Sequence, residues 1–202
     1  MDSLSPTHRH IRAYRTLLDQ LTDLLDRMDT QYRHTAARYQ FHCDGCDDNC
    51  CLTRFYHHTF LEYLLLWEGI AGLAPSMRET VRDRARSYCE KLEKADETEG
   101  SVRELCPLNM DGRCVIYPQR PMICRLHGIP HELHHPLRGP SYGPGCEAFD
   151  RRCGKRPYIK FDRTPFYAEM AKLEKEFKEA AGIINRIKMN VAEMILTPNL
   201  DI

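Results

Sequence analysis

The sequence predicts a mainly α protein, with a helical core, long N- and C-terminal heptad helices and a long loop-rich segment. Three observations carry this. Apolar residues recur in steps of three and four near both ends, a densely apolar stretch follows residue 55, and residues 98–163 are crowded with proline and glycine. A chain of 202 residues fits one domain over 1–202 and is long enough to bury a core without covalent staples. The expected parts are flanking helices at 7–39 and 164–189 and a cysteine-bearing region at 40–153.

Over 7–39, Ile11, Tyr14, Leu18, Leu21, Leu25, Met28 and Tyr32 alternate as the seam of a packed helix. The pattern returns as Phe166, Met170, Leu173, Phe177, Ala180, Ile184 and Ile187, behind Thr164 as N-cap and Pro165 at the first helical position. A seam specifies that a partner exists and not whose it is, so the two helices meet each other, a second copy in a homodimer, or another protein. Between them, Phe55, Phe60, Tyr63, Leu64, Leu65, Leu66, Trp67 and Ile70 leave few polar positions, as in a helix buried on most sides. A helix over 76–96 opens with Ser76 and Glu79 in capping-box spacing and is mostly charged, which predicts a surface position.

The 29 basic and 29 acidic residues cancel, so no global field draws the chain to nucleic acid or to an anionic membrane. The basic run of Arg151, Arg152, Lys155, Arg156 and Lys160 around Tyr158 has neither a readout helix nor a stacking platform and reads as solvated surface. No N-terminal basic stretch precedes an apolar core, and no segment approaches 18 uncharged apolar residues. The expectation is a cytoplasmic protein without a membrane span.

Ten cysteines are many for a reducing compartment, where clustered thiols more often bind metal than form lasting disulfides. Cys43, Cys46, Cys50 and Cys51 fall within nine residues around Gly45, so the chain can wrap an ion or cluster there. Adjacent Cys50 and Cys51 point in different directions in any regular backbone, which predicts that one serves a second site or packs in the core. If the buried helix follows directly, its dipole favours the thiolate form of this group. Cys106, Cys114, Cys124 and Cys146 in the loop-rich segment supply further ligands. Pro121 can start a short helix carrying Cys124 between Arg120 and Arg125, whose guanidinium groups suit an outer shell that bonds thiolate or sulfide. Cys89, alone on its helix, reads as a small core residue, and for Cys153 packing and ligation stand level.

His131-Glu132-Leu133-His134-His135 matches H-E-x-x-H, but Pro130 and Pro136 leave no room for the helix that motif needs. His127 and His131 remain candidates for an outer shell. Zinc and iron–sulfur clusters both accept four thiolates. Zinc modules typically pair two C-x2-C knuckles, and here only Cys43 and Cys46 form one, which favours iron–sulfur.

These residues carry a resemblance. Cys43-x2-Cys46-x3-Cys50-Cys51, then Cys106, the run from Cys114 to Arg125 in the pattern C-x-I-Y-x-x-R-P-x-x-C-R, and Cys146 are similar to the YkgJ-type family of zinc- or iron-chelating cysteine-cluster proteins. It covers about residues 40–150 and leaves both heptad helices outside. It implies a metal-binding domain, often holding an iron–sulfur cluster of the 4Fe-4S type. One member of that kind, the flagellin lysine N-methylase, is an enzyme. Nothing here matches it beyond the cysteine region, and no glycine-rich turn marks a nucleotide-like cofactor.

Overall fold

The computed structural model describes residues 6–43, 50–97 and 103–200, and the chain is mainly helical. The N-terminal seam forms helices α1 (Pro6–Ala13) and α2 (Arg15–Arg38), in effect one helix bent at Tyr14. Tyr14 N still donates to His10 O (2.9 Å) and Leu18 N to Tyr14 O (3.1 Å), so the ladder runs through the bend. Leu18, Leu21, Leu25 and Met28 along the seam are fully buried.

Helix α3 (Phe60–Ala71) is capped by Thr59 and buried from Phe60 to Trp67 without a break. It begins later than the apolar text suggests. Residues 53–59 are largely non-helical, and His57 pairs with Met189 through two backbone hydrogen bonds of 2.7 and 3.0 Å. Cys50 and Cys51 therefore sit in a separate 3-10 turn, Cys50–Leu52, and not at the N-terminus of the buried helix.

Helix α4 (Pro75–Glu97) starts one residue before the expected cap, with Ala74 O accepting from Arg78 N (3.0 Å), so Ser76 lies inside the first turn. Its charged faces meet water, but Val81, Ala85, Tyr88 and Leu92 form a buried stripe. Helix α4 packs against a short C-terminal helix that periodicity cannot reveal. We number that helix last in the chain, after α5 (Met122–Leu126), α6 (Glu147–Cys153) and α7 (Thr164–Ala181), making it α8 (Val191–Leu196). Asn190 and Glu193 close a capping box at its start.

The two heptad seams meet. Helix α7 lies along α2, its Met170, Leu173 and Phe177 buried, and Phe177 takes the edge of Tyr14 (4.7 Å between centroids). Thr164 is already helical, behind Arg163. The helix ends earlier than the seam implied because Gly182 adopts φ 69° and Ile183 N turns back to Lys178 O (2.9 Å). Ile184 and Ile187 fall beyond it, Ile184 fully in solvent.

The loop-rich segment holds only short pieces. Strands β1 (Asn109–Met110) and β2 (Arg113–Cys114) form a hairpin through Asp111 and Gly112, both at positive φ (50° and 83°), as a type I′ turn requires. Strands β3 (His131–His135) and β4 (Gly139–Gly143) form a second hairpin. Among the described residues no helix is long and apolar enough to cross a membrane.

Candidate metal centre

A cavity of about 1230 Å³ opens between the N-terminal helix and the loop-rich segment, lined by Cys43, Cys50, Cys51, Cys106, Cys114, Cys124 and Cys146. These are seven of the eight cysteines expected as ligands. Cys46, the eighth, lies outside the described residues. Cysteines up to 103 positions apart in sequence thus face one space, because backbone contacts draw the separate segments together.

Three contacts gather the first group. Cys106 N donates to Cys51 O (2.8 Å), Asn109 N donates to Cys106 O (2.9 Å), and Asn109 stands opposite Cys114 across the hairpin. Cys124 rides on α5, whose first amide, Met122 N, is held by Glu62 Oε1 (2.9 Å) from the buried face of α3. Burial pushes the Cys106 thiol up to about 12 and the Cys114 thiol up to about 11, and drives Cys124 well above the usual range. Cys51 goes the other way, down to about 6, because the Cys50 side chain hydrogen-bonds its thiolate and Asn109 adds to this against the cost of burial. The same contact with Cys51, with burial behind it, raises Cys50.

The second group gathers at the end of α2. Tyr32 Oη lies 3.4 Å from Cys43 Sγ, the most exposed of the seven thiols, and Cys146 N donates to Gly128 O (3.1 Å). Gly128 has φ 119°, and a Cβ there would come within 2.6 Å of Tyr32 Oη, so only glycine lets the tyrosine approach. Cys146 also caps α6, its Sγ accepting from Phe149 N (3.4 Å). It is this thiol, rather than Cys50 or Cys51, that sits at the N-terminus of an α-helix.

Arg120 and Arg125 line the cavity, but their hydrogen bonds go elsewhere than to sulfur. Arg120 Nη2 and Arg125 Nη1 grip the two oxygens of Asp29 on α2 (2.6 and 2.5 Å), while Arg120 also reaches Tyr117 O (2.8 Å) and Arg125 reaches Arg120 O (2.9 Å). They clamp the Cys124 segment to α2 and act on the thiols through charge, favouring the thiolate of Cys114 against the burial that dominates it. His127 lines the cavity edge-on to Phe55 (5.1 Å). His131 is not among the lining residues, and burial, with Arg163 nearby, lowers it to about 4.

The remaining features resolve into packing. Cys153 is buried and donates to Tyr39 O (3.5 Å), and neither it nor Cys89 lines the cavity. The H-E-x-x-H segment is strand β3, where residues four apart stand about 13 Å from each other, too far to share an ion. Its Glu132 and His134 do meet Asp162, but Lys160 Nζ at 3.3 Å already neutralises Glu132. The basic run is likewise distributed, with Arg152 on His42 O (3.1 Å) and Arg156 on Gln40 Oε1 (3.0 Å).

Tyr32, Asn109, Asp29 and Glu62 belong to the site and were not singled out for it from sequence. Tyr32 was legible only as the last seam position, and Asn109 only as the residue before an Asp-Gly turn. The residues present fit a thiolate-ligated group. The Asn109 side chain is a buried donor that meets the Cys51 thiolate, and His57 Nε2 is buried without a hydrogen-bond partner at the cavity wall. A buried amide donor is satisfied by a thiolate or sulfide acceptor at that position. Compared with known protein families, curated proteins and solved structures, the chain matches none.

Proposed function

We propose that this chain is a metal-binding protein whose cysteines carry iron–sulfur chemistry, serving electron transfer, oxidant sensing or the ordering of the loop-rich segment. The observation that carries this reading is the convergence of seven thiols from separate segments on one cavity. The YkgJ-type resemblance of 40–150 points the same way.

Sequence spacing favours a cluster over a lone ion, because only Cys43 and Cys46 form the C-x2-C knuckle that zinc modules pair, while both groups accept four thiolates. When bound, a cluster supplies a one-electron couple; the chain's own part is to hold thiolates, exclude water and place the Asn109 and Tyr32 donors beside sulfur.

Purification without oxygen, followed by assay of iron, acid-labile sulfide and visible absorption, tests the reading. Iron and sulfide in equal amounts with a broad charge-transfer band are expected. Stoichiometric zinc without sulfide overturns it in favour of a structural zinc protein.

A further inference from the structure

We infer that the cavity carries, beside its thiols, a binding site for a small uncharged carboxamide, set against the wall that His57 and Asn190 share with Phe55 and Tyr88. The site asks for no metal, so it stands or falls apart from the iron–sulfur reading.

The wall comes from two paired segments. Thr53, Phe55 and His57 line the cavity and Arg54 and Tyr56 do not, which is the alternation of an extended chain. The two backbone hydrogen bonds to Met189 fix His57, and Asn190, the next residue after Met189, lines the cavity too. Tyr88 reaches the same space from α4, which packs on α8.

Two buried polar groups on this wall lack a partner. His57 and Asn190 are each 2% exposed, and among the described residues neither His57 Nε2 nor Asn190 Nδ2 has a hydrogen bond. The Asn190 amide is not free to turn, because its Oδ1 accepts from Glu193 N (3.0 Å). Burial lowers His57 from its ordinary value, which leaves a neutral ring in which one nitrogen donates and the other accepts.

A carboxamide suits both groups. Its carbonyl accepts from the Asn190 amide, and its carbonyl or its N–H meets Nε2 in either tautomer. A carboxylate only accepts, and it would bring charge toward Glu193, whose Oε2 stands 2.7 Å from Asn190 N. Arg54 and Lys188, the cations of these segments, lie over the Tyr56 ring (5.2 and 4.5 Å) and do not line the cavity. Arg120 and Arg125 do line it, but Asp29 on α2 holds them. The Phe55 and Tyr88 rings offer an apolar surface to the rest of the molecule. Ligand pockets measure about 300–1,000 Å³, so a cavity of about 1230 Å³ has room for such a molecule beside a thiolate-held centre.

The full chain, purified without oxygen, tests this by saturation-transfer NMR and calorimetric titration with benzamide and with benzoate, its charged counterpart. Benzamide should bind saturably at one per chain, and benzoate at least about tenfold more weakly. His57→Phe removes the ring nitrogens, and Asn190→Ser removes the amide donor while keeping an N-cap oxygen for α8. Each should weaken benzamide by about tenfold or more, with metal per chain and far-ultraviolet circular dichroism unchanged. Absence of saturable benzamide binding, so that water alone meets the two groups, overturns the site. So does benzoate binding as tightly as benzamide, a comparison that needs no variant to fold, or unchanged affinity in both folded variants. A metal-loaded chain that ignores benzamide leaves the metal reading intact, and a metal-free chain that binds it overturns the metal reading alone.

Discussion

The helical frame and the loop-rich segment are held by different physics. In the frame, α2, α3 and α7 share a continuous apolar interior, with Leu18, Leu21, Leu25, Leu61, Leu64 and Phe177 fully enclosed. Many weak, non-directional contacts stabilise it, so no single polar atom matters much. Residues 103–163 contribute few large core side chains and are positioned instead by named polar contacts: Asp29 on two arginines, Glu62 on Met122 N, and the Arg163 guanidinium on Leu126 O and Ile129 O. The difference teaches that burial dominates the frame, while the segment bearing Cys106, Cys114, Cys124 and Cys146 is positioned by directional clamps.

That contrast can be broken by experiment. Leu25→Ala, at a fully buried seam position, should destabilise the whole chain by about 3 kcal/mol in denaturant unfolding, with metal per folded molecule unchanged. Selective metal loss in the folded protein would show that frame and centre are not separable. Asp29→Ala leaves the buried Arg125 without its carboxylate and should cost about 2 kcal/mol, less than for a fully buried pair because Asp29 is partly exposed. Its hydrogen-exchange signature should be confined to 117–126. Equal loss of protection in α7 would argue against a local clamp.

The smallest effect concerns the joint between α3 and α7. Glu174 accepts from Phe60 N (2.9 Å) and Leu61 N (3.2 Å) at the start of α3, and burial holds its carboxyl up at about 7 in spite of these bonds. The folded chain then keeps a proton there that the unfolded chain releases near the ordinary value of 4.5. Its contribution to stability is complete below that value and is lost as pH rises toward 7. Glu174→Gln should flatten the stability profile in this window by about 1 kcal/mol, less than the whole displacement from 4.5 would give because the side chain is only partly enclosed, and an unchanged slope would place the titration elsewhere.

Much of the frame was legible because helices write their buried face at a fixed period. The α2 and α7 seams follow from that, and α3 as the most buried helix follows from its near-continuous apolar run. Their ends were less legible. Gly182 stops α7 through a left-handed turn that leaves the apolar spacing of Ile184 and Ile187 undisturbed, and the six residues of α8 are too few to establish a period. The site was legible as a set of thiols and not as an arrangement. Arg120 and Arg125, flanking Cys124 in sequence, turn to Asp29, a carboxylate 91 and 96 positions away.

The sequence by itself determined which thiols are available and that two seams needed burial. Tertiary structure alone decided that the seams bury each other, that Tyr32 at the end of one reaches Cys43, and that the backbone of Cys51 holds that of Cys106. The physical reason is range. Periodicity and spacing report how a residue relates to those within a turn or two, whereas which sulfurs come together depends on backbone hydrogen bonds between segments that only the folded chain brings into contact.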